Sequence, residues 1–201
     1  MENLNVLTDD MLVTRYQEGD DKAFDELLAR YQSKLYNYIL FAVRNQELAE
    51  DIFQETFVKA IVTIQQRRYS GDGRFGAWIM RIAHNLVIDS FRQDRNDNTI
   101  SNDDSEIDLL NNVDLCDDNV ETQMVNDQTL VDVRRLVDAL PDNQREVVYM
   151  RYYQDLSFKE IAEITGVSIN TALGRMRYAL INMRKNAVRY NLVHDLEKIF
   201  D

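Results

Sequence analysis

The chain contains 201 residues, of which 45% are hydrophobic, and its formal net charge at pH 7 is −12. This length and composition fit one large or two small globular domains with buried cores. Cys116 is the only cysteine, which excludes an internal disulfide and a multi-thiolate metal site. The sequence shows neither a signal-peptide pattern nor about 18 consecutive uncharged apolar residues. It therefore predicts a soluble cytoplasmic protein without direct membrane insertion.

The acidic residues are concentrated in one part of the chain. Between Asp94 and Asp127 eleven acidic residues accompany one basic residue, whereas the segment from Ser168 to Arg189 holds five basic residues and no acidic one. Binding to nucleic acid requires clustered Lys and Arg rather than a positive total charge. The C-terminal segment is therefore a candidate for contact with nucleic acid.

Helical periodicity dominates the first half of the chain. The whole sequence has one proline and six glycines, and its apolar residues recur at three- and four-residue steps rather than in strand-like alternation. Such runs extend from Ala23 to Ala42, from Leu48 to Ile64 and from Phe75 to Phe91, with a turn at Ser70–Gly73 before the third. We therefore predict three amphipathic helices here.

The middle of the chain has a different composition. Residues 97–126 are rich in Asp and Asn, with a few apolar residues between Ile107 and Leu115, and are predicted to form a flexible acidic linker with a candidate docking segment. Helical periodicity returns near Asp127, stops before Pro141, which opens the next helix, and continues through Met150. We therefore predict an all-α fold in which this linker joins two small helical domains.

A helix-turn-helix pattern occupies residues 157–168 of the C-terminal domain. Ser157 and Glu160 have the spacing of a capping box, Gly166 lies where a left-handed residue ends a helix, and Ser168 can cap the next helix. The same spacing also occurs in helical hairpins that never touch DNA. The composition of the second helix therefore distinguishes a DNA-binding motif from an ordinary helical hairpin.

That second helix, from Ile169 to Lys185, is predicted to lie in the DNA major groove. It contains no acidic residue, which is hard to explain for a merely solvated helix face. Its spacing predicts one buried and one exposed face. The buried residues are Ala172, Met176, Ala179, Leu180 and Met183, and the exposed ones are Asn170, Thr171, Arg175, Arg177 and Tyr178.

Three segments resemble bacterial RNA polymerase sigma factors. The segment from Leu140 to Arg151, with the helix-turn-helix, resembles region 4, which reads the minus-thirty-five promoter element. Ala49 to Phe57 resembles the region 2 helix that binds the clamp helices of the polymerase beta-prime subunit. Trp78 to Asn85, continuing to Arg92, is similar to the segment that opens and reads the minus-ten element. No region 1 or region 3 domain intervenes, which is typical of the extracytoplasmic-function (ECF) group.

The resemblance implies a domain order and a set of partners. Residues 1–96 correspond to a region 2 domain, 97–126 to the acidic linker and 127–201 to a region 4 domain. The implied partners are core RNA polymerase, through its beta-prime clamp helices and beta flap, promoter DNA and an anti-sigma factor. No cofactor, metal ion or catalytic residue is implied. The linker, expected to run through the polymerase channel, is either a nucleic-acid mimic or a charged tether.

The resemblance also implies which residues make contacts in region 2. Asp51, Gln54 and Glu55 occupy adjoining helix positions and are implied to bind core polymerase, with a solvated face as the alternative. The loop from Arg67 to Arg74 is implied to cup a flipped base, whereas Trp78 is expected to be core rather than a base-stacking residue. The residues implied to contact the minus-ten element are Arg67, Arg68, Arg74, Arg81, Asn85, Asp89 and Arg92.

In region 4 the match to the family is incomplete. Leu173 stands where members often carry Lys or Arg, and Gly174 where they often carry Ser, so the promoter sequence is not predicted. A glycine in mid-helix costs about 1 kcal/mol relative to Ala, which indicates either close approach to backbone or DNA or simple tolerance. The residues implied to contact the minus-thirty-five element are Ser168, Asn170, Thr171, Gly174, Arg175, Arg177 and Tyr178.

Three other functions compete with this interpretation. An enzyme is disfavoured because no metal-ligand cluster, phosphate-binding glycine loop or activated nucleophile is evident, and the two histidines, His84 and His194, are isolated. A stand-alone helix-turn-helix regulator would not be expected to contain the region 2 patterns. A protein that mimics a sigma factor and titrates its inhibitor would share every motif, so only activity with core polymerase separates it.

Overall fold

The structure of the protein, a computed structural model, describes residues 4–97 and 124–190. Side chains are described for residues 4–93 and 131–190. Within these ranges every regular element is a helix, which confirms the predicted all-α class. Most of the predicted linker, including Cys116, and the C-terminal extension after Tyr190 lie outside the described residues.

The chain divides into two compact units, Met1–Leu109 and Leu110–Asp201, as the prediction of two helical domains requires. In the described part of the first unit a short 3-10 turn, Leu4–Val6, precedes four helices. The three amphipathic runs correspond to the last three of these helices. The four helices are α1 (Asp9–Gln17), α2 (Asp21–Val43), α3 (Gln46–Gln65) and α4 (Phe75–Asp97).

The core of the first unit is built where the apolar stripes of its helices meet. The aromatic and aliphatic side chains there are almost fully buried, and each contributes about 1.5–3 kcal/mol by leaving water. The hydroxyl of Tyr38 lies 3.0 Å from Nδ1 of His84, and both side chains are buried. His84 is therefore a core residue with a hydrogen-bond partner. The largest fully buried side chains of this unit are Tyr38, Phe75, Leu12, Leu27, Leu35, Ile39, Ile64 and Ile79.

Helix α1 was not predicted from the sequence. Only Leu12 and Val13 of its nine residues are buried, so its apolar pattern is too short to stand out. Thr8 caps the helix by accepting a hydrogen bond from the Met11 N–H at 3.4 Å. Asp9 and Asp10 lie in the first turn, where their negative charges interact favourably with the positive end of the helix dipole.

The described part of the second unit also contains four helices, with core residues Leu136, Val147, Met150, Ile161 and others on their facing sides. Pro141 lies at the N-cap of the second of these helices, with φ −55° and ψ 145°, so it occupies the residue before the first helical position. The first helix begins at Met124 rather than near Asp127. The helices are α5 (Met124–Asp138), α6 (Asp142–Tyr152), α7 (Phe158–Thr165) and α8 (Ile169–Arg189).

Candidate nucleic-acid and protein interfaces

One exposed face of α3 carries the residues expected to bind polymerase. Asp51, Gln54 and Glu55 are all exposed there. Val58 and Val62, 58% and 44% exposed, continue the same face one and two turns further on. Neither valine was predicted to belong to this interface, although a spacing of seven and eleven residues from Asp51 places both on this face. The structure therefore presents a polar patch with an apolar extension.

Glu55 forms an ion pair on this face of α3. Oε1 of Glu55 lies 2.9 Å from Nζ of Lys59, one turn along the helix. Both side chains are about half exposed, so the pair contributes at most about 1 kcal/mol. A basic partner helix can therefore displace Lys59 at little cost.

A polar stripe runs along the outer side of α4. Arg81, Asn85, Asp89 and Arg92 are all exposed and follow one another at steps of four, four and three residues, which places them on one side of a helix. Nη1 of Arg92 lies 3.3 Å from Oδ1 of Asp89. The neighbouring face, which includes Ile79, Met80, Ala83 and Val87, is buried. None of the four stripe residues is therefore needed for the core.

The loop before α4 has an unusual backbone. Arg67, Gly71 and Gly73 all adopt positive φ, at 55°, 37° and 75°. The side chains of Arg67 and Arg68 are exposed. Arg74 donates a 2.8 Å hydrogen bond to Oδ2 of Asp72, and this contact lowers the pKa of the Asp72 carboxyl. The loop therefore presents two exposed arginines and one that is paired with an acid.

Aromatic side chains join this loop to α4. The ring centroid of Tyr69 lies 4.7 Å from that of Trp78 and 5.7 Å from that of Phe75, and Phe75 and Trp78 are 5.4 Å apart. Phe75 is fully buried and Trp78 is partly buried. Trp78 therefore packs against Tyr69 and Phe75 but is only partly buried, so the prediction of a core tryptophan is met only in part.

The helix-turn-helix has the local geometry that the sequence predicted. Glu160 accepts a hydrogen bond from the Ser157 N–H at 2.8 Å, and the Ser157 hydroxyl accepts from the Glu160 N–H at 3.3 Å. Gly166 ends α7 with φ 69°. The Ser168 hydroxyl then accepts from the Thr171 N–H at 3.0 Å and caps α8. The capping box, the glycine turn and the second cap are all confirmed.

Helix α8 presents most of its predicted outer residues to solvent. Asn170, Thr171, Arg177 and Tyr178 are exposed, and Arg175 is partly buried. Gly174 lies on the same side, and a Cβ added there would have no atom within 4 Å. The described residues therefore give Gly174 no close neighbour.

The inner side of α8 agrees with the prediction at four of five positions. Ala172, Met176, Ala179 and Met183 are buried. Leu180 is only partly buried, which corrects the prediction, because it lies at the edge of the buried stripe rather than at its centre. Ile169 and Leu173, 46% and 44% exposed, add apolar surface to the outer side.

The described residues form neither a metal site nor a membrane span. No group of three or more His, Cys, Asp or Glu side chains is arranged to hold a metal ion there. No described helix is both long and apolar enough to span a membrane.

Comparison with known proteins assigns both units. Residues 27–96 match the family model for Sigma-70 region 2, and residues 130–177 match that for Sigma-70, region 4. The ECF RNA polymerase sigma-E factor of Haemophilus influenzae is 31% identical over 177 residues, which cover 85% of this chain and 90% of that protein. The chain belongs to the ECF sigma factor family.

Other relatives of this sigma factor agree with the assignment. The ECF RNA polymerase sigma factor BldN of Streptomyces coelicolor is 35% identical over 155 residues, which cover 77% of this chain but only 56% of BldN. The sigma factor RpoE of Bartonella quintana, solved with the anti-sigma factor NepR, shares the fold with a TM-score of 0.60. It is 20% identical, and the match covers 82% of this chain and 96% of RpoE.

Proposed function

We propose that this sigma factor binds core RNA polymerase through α3, reads and opens the minus-ten element with α4 and the preceding loop, and reads the minus-thirty-five element with α8. The observation that carries this proposal is the pair of solvent-facing helices, the α4 stripe and the acid-free side of α8, one in each sigma region. The protein acts as an initiation subunit without catalytic residues, in the cytoplasm where the polymerase works.

Polymerase binding is proposed for the outer face of α3. Asp51, Gln54 and Glu55 supply acceptors for the basic side chains of a partner helix. Val58 and Val62 supply apolar surface that loses water on contact, which adds to the affinity. The polar residues then make the essential contacts and the valines strengthen them.

Minus-ten recognition is proposed for the α4 stripe and the loop of residues 67–74. The Asn85 amide offers both a donor and an acceptor to a base edge. Arg81 and Arg92 lie one turn before and two turns after Asn85 and are suited to phosphates. Arg67 and Arg68 extend the positive surface into the loop, where a strand separated from its complement can be held.

Minus-thirty-five recognition is proposed for the first three turns of α8. Ser168, Asn170 and Thr171 lie at the helix N-terminus, which favours phosphates and base edges in the major groove. Gly174, Arg175, Arg177 and Tyr178 follow. Leu173 stands where family members often carry Lys or Arg, and it presents exposed apolar surface instead. This surface is suited to contact with the methyl group of thymine.

The two domains are proposed to act together only on the polymerase. Residues 1–96 form the region 2 domain, 97–126 the linker and 127–201 the region 4 domain, which also meets the beta flap. Each domain presents a small DNA-binding surface, and core enzyme fixes their spacing so that the affinities combine. An anti-sigma factor is the proposed inhibitor, because the RpoE relative was solved with one.

Run-off transcription tests this proposal against its rivals. Core polymerase should transcribe a genomic template pool of the source bacterium from defined start sites only when the full chain is added. A stand-alone regulator would bind DNA tightly without core enzyme and would not confer defined starts. A mimic that titrates an inhibitor would bind that inhibitor and leave core polymerase inactive. Either result would overturn the proposal.

A further inference from the structure

Helix α1 is tied to a distant loop through one carboxylate. The hydroxyl of Tyr69 donates a hydrogen bond to Oδ1 of Asp10 at 3.0 Å, and the backbone N–H of Gly73 donates to Oδ2 of the same residue at 2.8 Å. These donors are 59 and 63 residues away in sequence. Asp10 therefore uses one oxygen for a side chain and the other for the backbone of the same loop.

This loop needs an external support. Arg67, Gly71 and Gly73 adopt positive φ within seven residues. Ordering a glycine costs more conformational entropy than ordering any other residue. A Cβ at Gly71 would lie 3.8 Å from Cγ of Asp10, so the loop backbone passes directly over this carboxyl group. Asp10 thus restrains the loop at its glycines, where the loop backbone is most free to move.

The preceding acid has a separate task. Asp9 accepts a 2.8 Å hydrogen bond from Nη1 of Arg30 and another from the hydroxyl of Tyr31. The same guanidinium group donates to the backbone carbonyl of Leu7 at 3.0 Å. Asp9 therefore fastens α1 to α2, whereas Asp10 fastens the loop to α1.

The Tyr69 hydroxyl also connects Asp10 with the start of α4. Its ring packs against Trp78 and Phe75, so a shift of the hydroxyl moves the aromatic group at the N-terminal end of that helix. Burial and the hydrogen bond to Asp10 raise the pKa of Tyr69 well above its usual value. The phenol therefore stays a donor at any pH at which the protein works.

We propose that Asp10 is a positioning residue for promoter recognition, which holds the loop of residues 67–74 and the start of α4 in the shape that receives single-stranded minus-ten DNA. This inference rests on the proposed minus-ten role of the loop. Asp10 acts through Tyr69 and Gly73 and does not itself touch DNA.

Limited trypsin digestion of the full chain tests only whether Asp10 holds the loop of residues 67–74 in place. Trypsin cleaves after Arg67, Arg68 and Arg74, so loop opening is read directly at these bonds. Asp10→Asn keeps one acceptor oxygen and loses the other, and cleavage there should become about tenfold faster. Tyr69→Phe, which removes one of the two hydrogen bonds, should give a smaller increase.

The matched control is Asp9→Asn, which removes the same charge from the same turn of α1 but breaks a different contact. It should raise the cleavage rate at the loop much less than Asp10→Asn does, and its midpoint of thermal unfolding is recorded for comparison. Equal cleavage rates in wild-type protein and Asp10→Asn would overturn the proposal whatever the promoter results are.

Base preference tests the functional part. Holoenzyme made with the wild-type chain selects binders from DNA randomised across the minus-ten element, and the selection is repeated with Asp10→Asn. Preference at one position should fall about tenfold in the variant while affinity for core polymerase and preference at other positions persist. Preference retained at every position would overturn the inference. A wild-type holoenzyme without any minus-ten preference would instead overturn the proposed function of the loop.

Discussion

Arg145 and Asp138 meet where α5 ends: Nη1 of Arg145 donates a 3.1 Å hydrogen bond to the Asp138 carbonyl oxygen. The Arg145 side chain is only 3% exposed, and a second nitrogen pairs with the carboxylate of Asp142. A carbonyl at the end of a helix has no partner within that helix. Arg145 therefore closes the C-terminus of α5 and holds it to α6.

Replacing Arg145 should destabilise the second unit. Arg145→Met keeps much of the volume but removes the hydrogen bond from the buried guanidinium group to the Asp138 carbonyl, at a cost of about 1–3 kcal/mol. Asp142→Asn is the control, because that carboxylate is 61% exposed and its loss should cost less than about 1 kcal/mol. Hydrogen exchange of the buried amides of Val147, Val148 and Met150 measures both effects. Equal losses in the two variants would show that the ion pair, not the carbonyl contact, is what matters.

The valines of α3 should matter for polymerase binding. Val58→Ser with Val62→Ser should weaken affinity for core polymerase by about 1–3 kcal/mol, because the apolar surface that the interface buries is lost. Replacing Gln54 and Glu55 by Ala should abolish co-purification with core enzyme. Fluorescence titration of core polymerase with labelled protein measures both variants.

Two exposed residues on other elements serve as controls for this interface. Val6→Ser removes an exposed valine, and Asp25→Ala removes an exposed acid of α2, so both should bind core polymerase as wild type does. Normal binding by the Val58 and Val62 double variant would remove the apolar extension from the proposed interface.

The arginines of α8 should affect DNA binding in one of two measurable ways. Arg175→Ala or Arg177→Ala should weaken binding of holoenzyme to the minus-thirty-five element by about 1–3 kcal/mol and relax preference at one position if a base is read. If a phosphate is contacted, affinity should fall for all sequences and the salt slope should decrease by about one. Arg189→Ala, at the far end of the same helix, should show neither effect. A variant at Arg175 or Arg177 that behaves like it would exclude that arginine from the interface.

Leu173 should make binding sensitive to a single thymine methyl group. Replacing each thymine of the selected minus-thirty-five element by deoxyuridine removes only the methyl, and one such replacement should weaken binding of wild-type holoenzyme by about 1 kcal/mol. The same DNA should bind the Leu173→Ala holoenzyme without that loss. Additive losses from the DNA and protein changes would place Leu173 away from every thymine methyl.

Local sequence patterns predicted the helix-turn-helix in detail. The bonds that define it, between Ser157 and Glu160 and between Ser168 and Thr171, span three residues each, and Gly166 needs only its own backbone freedom. Such contacts depend only on residues that are close together in the sequence. Family resemblance then identified regions 2 and 4, and the two family models agree with it.

Long-range contacts could not be predicted in the same way. Asp10 meets Tyr69 across 59 residues, and no spacing in the sequence relates them. Arg145 looked like an ordinary charged helix residue, because burial of a guanidinium depends on a carbonyl from the preceding helix. The exposure of Val58 and Val62 depends on which side of α3 the neighbouring helices cover.

Permanganate reactivity of promoter thymines tests most directly whether this chain opens DNA for the polymerase. Core enzyme with the wild-type chain should make thymines around the minus-ten element reactive, and neither component alone should do so. The double variant Arg81→Ala with Asn85→Ala should bind core polymerase normally but leave these thymines protected, because the α4 stripe no longer holds the separated strand. Wild-type holoenzyme that binds the promoter without reactive thymines, or a double variant that melts it normally, would contradict the assignment of promoter opening to α4.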